Sequence, residues 1–160
     1  MPTRKIRLFT ALVKKDNFET IAEKATELGV TDVIPVLAER SEKKGLNEKR
    51  LKKIVIEASE QSGRGDVPAI HAVIDLKMAI ESLGEDARAV AFHTEGELFD
   101  RKDVPNDEDV SVFIGPEGGW SPDELDMFHK HDVPVRCLGP QVLRAETAVI
   151  AALSQVVFND

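Results

Sequence analysis

A chain of 160 residues with 42% apolar and 31% charged residues, 10 Gly and 8 Pro has the make-up of a single globular domain. Disordered, collagen-like and low-complexity classes are excluded. The net charge of −8 is unevenly spread: residues 1 to 64 hold 14 Lys/Arg against 10 Asp/Glu, a local +4, whereas residues 65 to 160 hold 7 against 19, a local −12. A basic first half is compatible with a phosphate-contacting surface, and also with solvated helix faces that have no partner. No apolar run approaches the roughly 20 residues of a membrane span. The start Met1-Pro2-Thr3-Arg4-Lys5 leads into no signal-type apolar stretch, so a cytoplasmic protein is expected. The single Cys137 provides neither an internal disulfide nor a multi-thiolate metal site, and no metal is expected.

Short β-rich runs alternate with helical periodicity, which predicts an α/β domain with a largely parallel sheet. Ile6 to Val13 reads as the first strand. Phe18, Ile21, Ala22, Ala25 and Leu28 follow helical spacing, with Asp16 or Asn17 as the cap and Gly29 as the stop. Val33 to Leu37 is a short strand and Glu39 to Gly45 a charged loop. Asn47 caps a second helix whose buried stripe is Leu51, Ile54, Val55 and Ala58, ending near Gly63. Ala69 to Val73 reads as a strand, Leu76 to Leu83 as a short helix, and Ala87 to His93 as another strand. Residues 95 to 109 form an acidic stretch expected to be a solvated connection. Val110 to Gly115 is nearly continuously apolar, as a strand in the middle of a parallel sheet is. Ser121, Pro122 and Glu124 give the next helix a cap, a proline in the first turn and a capping-box glutamate. Val133 to Leu138 is the last strand, and residues 146 to 158 form a helix so apolar around its circumference that it needs cover on more than one side.

Three local features carry chemistry. Ile114-Gly115-Pro116-Glu117-Gly118-Gly119-Trp120-Ser121 is a glycine-rich turn at a strand's carboxyl end, where open α/β sheets bind ligands. It has no Gly-Lys-Ser/Thr, and Glu117 disfavours a phosphate, so a cationic or neutral cofactor such as an adenosine with a sulfonium suits it better than a nucleotide phosphate. A tight structural turn is the alternative. Leu138-Gly139-Pro140-Gln141-Val142-Leu143-Arg144-Ala145-Glu146-Thr147-Ala148 is a second strand-to-helix loop able to form the opposite wall of one pocket. Arg144 and Glu146 there are open to two readings, a functional pair or an ion pair with Glu146 at the positive helix end. Gln61 and Arg64, three apart at the end of the second helix, suit either recognition of a base or phosphate or bonding of the last helical carbonyls.

Together with Glu27-Leu28-Gly29-Val30, Glu39-Arg40-Ser41 and Glu57 to Arg64, these loops resemble the motifs of the ribosomal RNA small-subunit methyltransferase E family, of the SPOUT superfamily. The resemblance runs over nearly the whole chain. It implies a SPOUT-type domain over residues 1 to 160, with a trefoil knot in the carboxyl-terminal chain and without the family's amino-terminal PUA-like RNA-binding domain. It further implies a homodimer that methylates a uridine of 16S rRNA at N3, with S-adenosylmethionine as donor. By the same analogy His93, Thr94, Ile114, Gly115, Gly118, Gly119, Leu138, Gly139, Val142, Leu143 and Thr147 hold the cofactor. Gln61, Arg64 and Arg40 are the candidate substrate contacts. Arg64 and then Arg144 are candidates to stabilise the uracil anion, and Glu117 or Glu146 to take the proton. A SPOUT tRNA ribose 2′-hydroxyl methyltransferase and a cofactor- or RNA-binding module with little turnover are the alternative functions. Leu51, Trp120 and Val142 depart from the family's common residues but remain apolar.

Overall fold

The computed structural model describes residues 4–42, 45–85, 88–105 and 107–158. Parts of three expected features, at residues 43–44, 87 and 106, lie outside them. Seven strands form one sheet in which every described pairing is parallel: β1 (Ile6–Ala11), β2 (Asp32–Leu37), β3 (Ala69–Ile70), β4 (Ile74–Asp75), β5 (Arg88–Leu98), β6 (Val110–Ile114) and β7 (Val135–Cys137). The order across the sheet is β3-β2-β1-β6-β5-β7, with β4 also on β2. Helices cover both faces, as parallel strands require. On one face α1 (Lys15–Glu27), α2 (Glu48–Gln61) and α5 (Ala145–Val157) pack over Leu8, Ile21, Leu51, Val112, Val149 and Leu153. On the other, α3 (Leu76–Glu81) and α4 (Pro122–Lys130) cover Phe9, Phe113 and Trp120. Phe9 stacks on Phe113 at 4.6 Å, and Phe128 meets Phe113 and Trp120 edge-on.

All of β6 is buried, as its apolar run requires. The capping box of α4 forms in full: the Glu124 amide donates to the Ser121 hydroxyl and the Ser121 amide to the Glu124 carboxylate at 2.8 Å. Glu124 is itself buried, and its second oxygen accepts the Glu39 amide, which ties the exit of β2 to the start of α4.

Four expectations need correction. Neither Asp16 nor Asn17 caps α1; the helix begins at Lys15, with Lys14 in the cap position and no side-chain cap bond among the described residues. Ala69 to Val73 is not one strand, because β3 and β4 pair with the two ends of β2 separately. α5 starts at Ala145. The largest correction concerns residues 95 to 98, which belong to β5 and not to a solvated loop. Arg136 is the register partner of both Phe92 and Glu97, so the intervening residues 93–96 leave the ladder and the strand then resumes. Gly96 permits the return: a Cβ there would lie 2.8 to 2.9 Å from the backbone of Val135 and Arg136. Asp103, in the 3-10 turn Arg101–Asp103, holds the same edge through two bonds from Arg136 at 3.0 and 3.2 Å. Burial pushes the Asp103 carboxyl up, but the bonds from Arg136 and the Asp100 backbone leave it below its ordinary range.

Candidate functional site

A cavity of about 280 Å³ opens where β5, β6 and β7 end, the position at which open α/β sheets take ligands. Its walls are the 93–96 excursion, the loop after β6, and the loop from β7 to α5. The excursion from β5 brings His93 and Thr94 to the rim. The loop after β6 contributes Gly115 to Gly119, and the last loop Leu138, Gly139, Gln141, Val142 and Leu143. Ala145 and Ala148 of α5 close the floor.

Two glycines on this path are demanded by geometry. Gly119 has φ of +78°, and a Cβ on it would meet His93 Cε1 at 2.9 Å. Gly115 faces the Trp120 indole, with a Cβ there falling 3.0 to 3.2 Å from the ring. Trp120 is buried and donates Nε1–H to the Phe92 carbonyl at 3.2 Å, so the indole couples the end of β5 to the loop after β6. Gly118 is less constrained: its Cβ would meet only the flexible Arg40 side chain, at 3.3 Å. The Arg40 guanidinium donates to the Gly118 carbonyl at 2.7 Å.

The electrostatics favour a neutral or cationic ligand, since among the described residues no lysine or arginine lines the cavity. Burial lowers the His93 pKa; the nearby Glu95 carboxylate opposes this and the Arg40 cation reinforces it. This biases the His93 imidazole toward its neutral form, in which one ring nitrogen can accept a hydrogen bond. α5 begins at the cavity with no side-chain cap, which leaves its first amides for a ligand carboxylate. Glu146 in that first turn has its Oε2 buried with no hydrogen-bond partner among the described residues.

Of the residues singled out from sequence, His93, Thr94, Ile114, Gly115, Glu117, Gly118, Gly119, Leu138, Gly139, Val142 and Leu143 are brought together here. Thr147 is not among the lining residues and is exposed. Arg144 is exposed beside the lining residues Leu143 and Ala145. Arg40 reaches the loop from outside, through Gly118.

Arg64 and Gln61 are not brought to this cavity. Helices here run back against the strands, so the end of α2 lies at the amino-terminal edge of the sheet, opposite the cavity. Arg64 is held there by Asp66, with bonds of 3.1 and 2.6 Å, and by the Thr26 carbonyl at 2.8 Å. Gln61 is exposed at the same edge. Sequence reading missed Gln141, Ala145 and Ala148 as lining residues, although the i, i+3 spacing of the two alanines marks a smooth strip on the last helix.

The model of the RNA methyltransferase domain family matches residues 1–157. Among curated relatives, the ribosomal RNA small subunit methyltransferase E of Rickettsia conorii is 32% identical over 94% of this chain and 63% of its own length. That of Aquifex aeolicus is 33% identical over 96% of this chain and 69% of its own. This chain thus spans about two thirds of the length of such relatives. The crystal structure of the Neisseria gonorrhoeae ribosomal RNA small subunit methyltransferase E bound to S-adenosyl methionine superposes with a TM-score of 0.85 at 28% identity, covering 95% of this chain and 65% of that one.

Proposed function

Because this chain belongs to the ribosomal RNA small subunit methyltransferase E family and has the SPOUT-type sheet, we propose that it transfers a methyl group from S-adenosylmethionine to N3 of a uridine in 16S rRNA. The observation that carries this reading is the glycine-walled cavity, lined by no cation among the described residues, at the 93–96 excursion of β5 and the ends of β6 and β7. Its donor set fits the cofactor: a neutral His93 and the Glu117 carboxylate tolerate a sulfonium, and the uncapped start of α5 suits an amino-acid carboxylate.

When bound, S-adenosylmethionine would supply an electrophilic methyl group on its sulfonium for transfer to N3 of a uracil. The chain's own part is positioning and proton management. Gly115, Gly118, Gly119 and Gly139 leave room for the ligand beside Ile114, Leu138, Val142 and Leu143. Arg144, exposed between the lining residues Leu143 and Ala145, stabilises negative charge developing on the uracil. Glu117 or Glu146 accepts the proton. The knot is part of this reading, and β7 at one edge of the sheet with α5 packed back on β6 and α1 is compatible with it. A cytoplasmic location also belongs to it; among the described residues no helix is long and apolar enough to cross a membrane.

A homodimer is supported by apolar groups left uncovered along and beside α5, with Ile150 38%, Phe158 66% and Val142 76% exposed. Light scattering at micromolar concentration is expected to give twice the chain mass. The function itself is tested by tritium transfer from labelled S-adenosylmethionine to small-subunit rRNA, followed by nucleoside analysis. Label at uracil N3 is expected. Label at a ribose would mean a 2′-hydroxyl methyltransferase, and cofactor binding without transfer a binding module.

A further inference from the structure

A second cavity, of about 430 Å³, opens between the start of α1 and the exit of β2. Pro116, Glu117 and Gly118 border both cavities, so this short segment is the partition between them. Lys14, Asn17, Arg40 and Glu42 stand on its far side. Lys14 occupies the uncapped start of α1, where first-turn amides add positive potential. Two cations and a helix start favour an anionic group, whereas Glu42 and Glu117 would repel a bare anion. A ligand carrying an anion at one end and an N–H donor at the other satisfies both halves, and a uridine nucleotide, with its phosphate and its imide N3–H, is such a ligand. Glu117 is the only ionisable side chain, among the described residues, that borders both cavities.

Building on the transferase reading above, we propose that this second cavity receives the uridine nucleotide that accepts the methyl group. Lys14 and Arg40 contact its phosphates, and Glu117 takes the N3 proton at the partition. The step balances. The proton passes from N3 to a Glu117 carboxylate oxygen, the freed N3 electron pair forms the bond to the methyl carbon, and the pair of the breaking C–S bond stays on the donor's sulfur as a thioether. Arg40 also holds the Gly118 carbonyl, so it keeps the partition in place for both ligands.

The test uses the full chain and a uridine-containing oligoribonucleotide. Calorimetry with S-adenosylmethionine comes first: a wild-type chain that does not bind it removes the transferase reading, and this proposal with it. With cofactor binding established, an oligonucleotide carrying 4-thiouridine is cross-linked and the attached peptides are identified. Attachment within residues 12–17 or 40–42 is expected. Lys14→Ala should weaken oligonucleotide binding by about fivefold and flatten its salt dependence by about one phosphate contact. Cofactor affinity should stay within about twofold, since Lys14 borders only the second cavity. Glu117→Gln should keep oligonucleotide affinity, slow transfer by about 10²- to 10⁴-fold and remove the acid limb of the rate profile. Cross-links confined to other faces, unchanged binding in Lys14→Ala, or full transfer by Glu117→Gln would overturn the proposal while leaving the cofactor site untouched. A wild-type chain that binds cofactor but not the oligonucleotide would do the same.

Discussion

Gly119→Val should all but abolish S-adenosylmethionine binding, whereas Gly118→Ala, one residue away, should barely change it. The two glycines look alike in sequence and differ in geometry. At Gly119 the backbone is left-handed, with φ of +78°, where a β-branched side chain costs roughly 1–3 kcal/mol. Its Cβ would also collide with His93 Cε1 at 2.9 Å, and His93 has little freedom to retreat because it leaves the β5 ladder only as far as Gly96. Displacing the ring shifts a cavity wall and removes an acceptor. At Gly118 the new methyl would touch the Arg40 side chain at 3.3 Å, and a flexible side chain can move by a few tenths of an ångström. Calorimetric titration of both variants with the cofactor gives the comparison, alongside thermal unfolding, for which each kcal/mol lost corresponds to roughly 2–4 °C in a chain of this size. Equal affinities in the two folded variants would remove the Gly-rich loop from the cofactor site.

The parts of this fold that were legible in the sequence are those fixed by local chemistry. The capping box at Ser121 and Glu124, the apolar run of β6 and the left-handed stop at Gly29, with φ of +96°, depend on neighbours within a few residues. The loops after β6 and β7 were legible as one site because a parallel sheet places all strand ends that bear ligands on one edge. What was not legible depends on register or on contacts distant in sequence. The resumption of β5 beyond the 93–96 excursion follows from pairing with β7, some forty residues later, and Gly96 was its only local sign. The role of Glu117 at a partition needed the start of α1 to be placed beside the loop after β6. The position of Arg64 was not legible for a different reason. Spacing puts Gln61 and Arg64 on one helix face, but a face does not say which edge of the sheet the helix end reaches. Asp66, two residues on, was the available hint that the guanidinium is occupied.

Arg64→Ala is therefore expected to act on stability and not on substrate recognition. The guanidinium is nearly buried, with 11% of its side chain exposed, and it satisfies both the Asp66 carboxylate and the carbonyl of Thr26, a residue with no exposed surface. Removing it leaves Asp66 without its ion partner and takes one of two bonds from the Thr26 carbonyl, which keeps the Gly29 amide at 3.1 Å; the cost is roughly 1 kcal/mol once the one-third exposure of Asp66 is allowed for. The pH dependence has a definite sign. The hydrogen bond from Arg64 holds the Asp66 carboxyl below its ordinary value of 3.8 in the folded chain. A carboxylate with a lowered folded pKa contributes stability above its unfolded pKa and loses it as pH falls through the folded one. The gap in unfolding free energy between wild type and Arg64→Ala should thus be widest above about pH 5 and narrow steadily below pH 4. Denaturant unfolding across that range measures it. Transfer per folded molecule, at a temperature where both proteins are folded, should be unchanged in KM for RNA. A raised KM with unaltered stability would return Arg64 to the substrate surface and would require the amino-terminal edge of the sheet to reach the RNA after all.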